Sequence, residues 1–284
     1  EEYSVAGEKM SDGNGNPAEN GTADEGGMET ESNPAEGSGT AEDEDASDDM
    51  ESVKADMKLS ILGDSISTFE GWIPDGNSVF YPQSGAVQDV SQTWWKILLD
   101  ETDLVLCANG SSSGSACYGD SQAVDVMVGC SDHRISQLAG ADGIDPDIII
   151  VYMGTNDLVM SVPMGDNDGL RPVDEGFVDN FSDAYTLILD KLEEQYADAQ
   201  IYCCTLLPVG DWGTDQPFVT FVNGENLTSE DYSDRIQTIT RNRGIPVIDL
   251  YHCGINIDNM PEMTSDGVHP TPEGMRRIAD TVLN

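Results

Sequence analysis

The apolar run Leu59-Ser60-Ile61-Leu62 stops abruptly at Gly63-Asp64-Ser65, which delivers a serine hydroxyl to the tip of an expected buried strand. Far along the chain, Asp266-Gly267-Val268-His269-Pro270 sets an acid three residues before a histidine. Two further segments, Asn109-Gly110-Ser111-Ser112-Ser113-Gly114 and Gly154-Thr155-Asn156-Asp157, each follow another apolar run. Together the four segments hold a nucleophile, a base, an orienting acid and donors for an oxyanion. That is the inventory serine acyl transfer requires.

A serine hydroxyl is a weak nucleophile at neutral pH and needs a neighbouring base. Only three histidines are available, at 133, 252 and 269. His269 is favoured because it lies in a Gly/Pro-flanked loop, and Asp266 can bend back to accept its Nδ1 proton. The N–H of Ser65, the N–H of Gly114 and the side-chain amide of Asn156 are the candidate oxyanion donors. Each segment alone has a plainer reading. Gly-Asp-Ser makes a strand-ending turn, the serine-rich loop is flexible, and Asn156 closes an Asx-turn. His133 and His252 are expected at the surface or at helix caps. No metal or organic cofactor is implied, and Asp166-Asn167-Asp168-Gly169 is read as a turn rather than a calcium loop.

The elements that must position these residues follow from hydrophobic patterning. Strands are expected at 58–63, 103–108, 147–153, 200–206 and 246–250, several as continuous apolar runs suited to a sheet covered on both faces. Helices are expected at 91–100, 132–139, 177–197, 229–243 and 272–282, the last with Thr271 at its N-cap and Pro272 at N1. This alternation predicts an α/β fold with a doubly wound, five-stranded parallel sheet. In such folds ligands bind beyond the carboxyl ends of the strands. Ser65, Gly114 and Asn156 follow three successive strands, and Asp266 and His269 follow the fifth, so topology alone converges five candidates on one edge.

Taken in order, Gly63-Asp64-Ser65-Ile66-Ser67, the Gly114 loop, Gly154-Thr155-Asn156-Asp157 and Asp266-Gly267-Val268-His269-Pro270 resemble the four blocks of the SGNH (GDSL-type) hydrolases. The similarity spans residues 57–284. It implies a three-layer α/β/α sandwich with a flavodoxin-like sheet and a serine esterase with Ser65 as nucleophile, His269 as base and Asp266 as its orienter. It also implies an oxyanion hole of Ser65, Gly114 and Asn156. Gly110 competes with Gly114, which the family-like spacing after Asn109 favours.

The chain has 284 residues, 54 of them acidic and 12 basic, for a formal charge of −42. Basic clusters are absent, which argues against nucleic acid and anionic membrane surfaces as partners. Residues 1–56 hold 18 acidic and 2 basic residues with almost no branched aliphatic or aromatic ones, so a disordered acidic spacer is expected there. It reads equally as an inert tail or as a tether to a cell surface. A bacterial extracellular or cell-surface location, with a leader removed or lying outside these residues, is the matching expectation. No apolar stretch reaches the roughly 20 residues of a membrane helix. The six cysteines are expected as buried thiols, with a Cys117–Cys130 bridge as the alternative.

Three functions follow. The first is a carbohydrate esterase removing acetyl or another short acyl group from a glycan, with aromatic residues of 69–82 and 209–228 shaping the site. The second is a lipid-acting esterase, lysophospholipase or thioesterase. The third is an inactive glycan-binding module, against which the intact Ser65, Asp266, His269 and Asn156 speak. Deleting residues 1–56 is expected to leave turnover of a soluble ester and the melting temperature nearly unchanged. A large loss of either shows the segment to be part of the domain.

Overall fold

A computed structural model describes residues 56–284. The expected spacer, except for Asp56, lies outside the described residues. The element order is β1 (Lys58–Gly63), α1 (Trp94–Asp100), β2 (Val105–Asn109), β3 (Gly119–Asp120), α2 (Asp132–Ser136), β4 (Ile148–Tyr152), α3 (Thr155–Val159), β5 (Phe177–Val178), α4 (Phe181–Gln195), β6 (Gln200–Cys204), α5 (Ser229–Arg243), β7 (Val247–Ile248), α6 (Met260–Met263) and α7 (Pro272–Leu283). Five strands form a parallel sheet in the order β2-β1-β4-β6-β7, while β3 and β5 pair antiparallel outside it. This is the doubly wound, flavodoxin-like arrangement expected from the sequence.

The period-2 alternation of strand side chains divides the core in two. Leu62, Ile149, Val151 and Ile201 join one apolar cluster with α4 residues such as Tyr185 and Ile188 and α5 residues Tyr232 and Ile236. Leu59, Ile61, Ile150 and Tyr152 point the other way, onto Trp94, Trp95 and Leu98 of α1 and Met275 and Ile278 of α7. Both faces of β1 and β4 are thus covered, which is why β4 reads as an unbroken apolar run and β1 as one interrupted only by Ser60, whose hydroxyl donates to the Leu138 carbonyl.

Several boundaries differ from the expected ones for local reasons. The helix expected over 177–197 begins at Phe181, because the Asn180 side chain accepts from Asp183 N–H and caps it, while 177–178 pair with 119–120. The helix expected from 91 starts at Trp94, where Thr93 caps after a separate 3-10 turn at Val90–Gln92. The fifth strand pairs only at Val247 and Ile248, as an edge strand with one neighbour can. Thr271 and Pro272 open α7 as expected. All six cysteines are free, Cys107 and Cys253 only partly buried, and no bridge joins Cys117 to Cys130.

Candidate active site

β1 runs between β2 and β4, so its end at Gly63 is flanked by the loops that follow both. The chain then turns at once into a 3-10 helix, Ser65–Ser67, capped by Asp64, whose Oδ1 accepts from Ile66 N–H at 3.0 Å. That cap fixes Ser65 at the first position of the turn with its hydroxyl facing His269. The Ser65 Oγ lies 3.0 Å from His269 Nε2, across 204 positions of sequence.

The histidine is set by its own tight loop. Asp266 Oδ1 accepts from the N–H groups of Val268 and His269, and Oδ2 lies 2.7 Å from His269 Nδ1. Gly267 adopts φ +90°, and a β-carbon there would strike the Pro217 carbonyl, so only glycine fits this turn. Burial raises the Asp266 pKa, but hydrogen bonds from the His269 ring and the two N–H groups outweigh it and hold the carboxyl below its ordinary range. An acid ionised in this way favours the imidazole tautomer with Nδ1 protonated, which leaves Nε2 free to accept from serine.

The same Asp-x-x-His spacing recurs at Asp249 and His252, whose Nδ1 and Oδ2 are 2.8 Å apart. His252 is therefore carboxylate-paired as well. Burial separates the two dyads: the His269 side chain is 8% exposed and that of His252 is 70% exposed. Only His269 meets a serine.

The oxyanion candidates lie on neighbouring segments, Asn156 being bonded to the loop of Gly114. Asn156, in the first turn of α3, donates from Nδ2 to the Ser115 carbonyl at 2.9 Å. That bond fixes which end of the amide is the donor and leaves its second N–H available. Gly110 N–H donates to Ile61 carbonyl at 2.8 Å and is consumed in the sheet. Among the described residues, neither the Ser65 nor the Gly114 N–H has a protein acceptor. Of the two glycines, Gly114 is the one that keeps a free N–H.

Two buried ionic residues secure these loops, and sequence patterning had singled out neither. Asp157, next to Asn156, accepts from the N–H groups of Cys117 and Tyr118 and so moors the segment after Gly114 to α3. Burial pushes its carboxyl up to about 6 against those hydrogen bonds. Arg134 of α2 is fully buried, and its guanidinium donates to the carbonyls of Gly63, Gly110 and Val126. It joins the ends of β1 and β2 directly below the serine turn. An aromatic residue completes the surroundings of His269: the Phe80 ring stacks on its imidazole, with centroids 3.6 Å apart and planes 12° apart. Trp212 approaches the same imidazole edge-on at 6.5 Å.

Comparison with known proteins agrees with this fold. No curated protein matches the chain. A solved structure from Bacteroides ovatus, provisionally described as a GDSL-like lipase, is 27% identical with a TM-score of 0.56, covering 80% of this chain and 96% of that one. A counterpart from Bacteroides uniformis, with the same description, is 28% identical with a TM-score of 0.59, covering 81% and 94%. A Lactobacillus plantarum structure, 20% identical with a TM-score of 0.57 and covering 80% and 94%, shares the fold. The profile of the GDSL-like lipase/acylhydrolases matches residues 57–210, more than half of the sequence. With the serine turn, the Gly114 loop and the Asn156 helix all inside that match, the chain belongs to the GDSL-like lipase/acylhydrolase family, a family of ester hydrolases.

Proposed function

We propose that the protein is a serine ester hydrolase working through an acyl-enzyme, and that its substrates are short acyl esters, acetyl foremost, on carbohydrates. The observation that carries the chemistry is the contact chain from Ser65 Oγ through His269 to Asp266, at 3.0 and 2.7 Å. Ser65 attacks the ester carbonyl while Nε2 takes its proton, and Asp266 stabilises the resulting imidazolium. The carbonyl oxygen, now negative, is held by the N–H groups of Ser65 and Gly114 and the free amide N–H of Asn156. The imidazolium then protonates the departing alcohol, and water, activated by the same base, releases the acid.

The leaving alcohol must lie beside His269, where Trp212 is half exposed and offers a ring face for stacking on a sugar. The strongly acidic body favours neutral or cationic substrates over anionic lipid surfaces. An extracellular or cell-surface setting belongs to this proposal, because polymeric glycans are met there. A second reading has its own support. A groove of about 360 Å³ beside Gly114 is lined by Met127, Val128, Met160 and Phe177, an apolar surface suited to a longer acyl chain.

Ser65→Ala is expected to reduce p-nitrophenyl acetate hydrolysis to background with an unchanged melting temperature; retained turnover removes Ser65 from the mechanism. Asn156→Ala should lower kcat by roughly 10²–10³ with little change in KM, whereas a change in KM alone assigns it to substrate positioning. Across acyl esters of increasing length, and against acetylated xylan and chito-oligosaccharides, acetyl substrates should give the highest kcat/KM. A preference for chains of about eight carbons or more would instead favour the groove reading. Arg134→Met leaves the carbonyls of Gly110 and Val126 without a donor, while that of Gly63 keeps the Ser112 N–H, and should destabilise the fold by on the order of 3 kcal/mol, read as a shift in the denaturation midpoint.

A further inference from the structure

Phe80 and Tyr81 lie midway along a long excursion between the serine turn and α1, and they meet the active site from outside the sheet. Four observations converge on this strap. Its ring stacking covers one face of the His269 imidazole. Next to it, the Tyr81 hydroxyl donates to the Pro270 carbonyl at 3.1 Å, gripping the residue that follows the histidine. The Phe80 N–H donates to Thr68 Oγ1, and that hydroxyl donates to the Ser65 carbonyl, both at 3.0 Å. Two residues earlier, Ser78 accepts from Ser113 N–H through its carbonyl, and its own N–H donates to Ser112 Oγ. One short segment therefore touches the base, the serine turn and the loop carrying Gly114.

The strap is itself braced. The Phe80 and Tyr81 rings meet edge to face with centroids 4.8 Å apart. Gly85 packs so closely that a β-carbon there would lie 2.9 Å from both rings. With one face on the imidazole and its flank on Tyr81, Phe80 is held in place rather than left as a free wall for substrate.

We infer that Phe80 is a positioning residue for the catalytic base, and that Phe80 and Tyr81 together clamp His269 and Pro270 in register with Ser65. This rests on the reading of His269 as the base. The clamp acts in two ways. Stacking restricts rotation of the imidazole about its side-chain torsion, keeping Nε2 aimed at Ser65 Oγ, and misplacement by about 1 Å can cost on the order of 10²-fold in rate. The negative face of the phenyl ring also favours the imidazolium formed as serine gives up its proton. Leucine fills much of the same space but supplies neither a flat face nor a quadrupole.

The test compares Phe80→Leu, Phe80→Trp and Tyr81→Phe with the unmodified protein on p-nitrophenyl acetate, with Ser65→Ala measured in parallel. Phe80→Leu is expected to lower kcat by ~10–100-fold while KM stays within about twofold. The downfield proton resonance of the His269 Nδ1–H bond to Asp266 should broaden or shift as the ring loosens. Phe80→Trp, which restores a flat face, should recover most of kcat, and Tyr81→Phe should give a loss smaller than that of Phe80→Leu. Melting temperatures separate this from unfolding, since a folded Phe80→Leu protein that is slow supports the clamp. A kcat for folded Phe80→Leu within twofold of the unmodified protein would overturn it, as would a change confined to KM. Failure of Phe80→Trp to recover more than Phe80→Leu would also count against it. Full activity in Ser65→Ala would instead remove the serine mechanism, which is a separate failure.

Discussion

Everything at the site depends on one contact, the 3.0 Å approach of Ser65 Oγ to His269 Nε2. A hydrogen bond of this kind contributes only about 0.5–1.5 kcal/mol net, too little to draw together two residues separated by most of a domain. The force that does so is the burial of both faces of the sheet. Leu59, Ile61 and Leu62 seat β1 against α1 and α7 on one side and the α4–α5 layer on the other, and α7 begins only three residues after His269. Packing α7 onto α1 therefore brings the histidine loop to the end of β1. The serine–histidine contact follows from the packing and does not cause it.

Placing the loops finely requires polar groups at depth, where they are costly unless satisfied. Asp157 and Arg134 meet this condition with backbone partners rather than with each other. The carboxylate collects N–H groups from the segment after Gly114, and the guanidinium collects carbonyls from the ends of β1 and β2. Each thus ties together two loops that the sheet alone leaves independent. Asp64 is less fully satisfied: one oxygen caps the serine turn, and burial pushes its carboxyl up to about 6. A rigid layer of this kind is what holds an oxyanion site to the tolerance catalysis needs.

Much of this was legible in the sequence because it follows from local pattern and chain direction. Parallel strands place every strand-end motif on one edge, so Ser65, Gly114, Asn156 and His269 could be grouped without coordinates. The alternation of strands and helices pointed to a parallel, doubly wound sheet, whereas its flavodoxin-like order was implied by the resemblance to the SGNH hydrolases. What escaped notice depends on burial, on contacts between distant segments and on side-chain caps. Asp249 and His252 have the same spacing as Asp266 and His269, and the two pairs differ in burial and in the approach of His269 to Ser65. Arg134 looked like one of many polar residues on a short helix, since nothing local marks a guanidinium that ends up bonded to remote carbonyls. Phe80 stood in a loop rich in aromatic residues, with no local sign that it would lie on the imidazole. Helix starts were misplaced at Thr93 and Asn180 because hydrophobic periodicity carried past residues whose side chains cap the backbone.

The central claim is that imidazole and sheet edge together make Ser65 a nucleophile, and covalent trapping tests it most directly. The protein is treated with a fluorophosphonate, digested, and mapped by mass spectrometry. The account predicts a single stoichiometric adduct on the peptide containing Ser65, with labelling lost when His269 is replaced by alanine. An adduct on another residue, or equal labelling without His269, would contradict it.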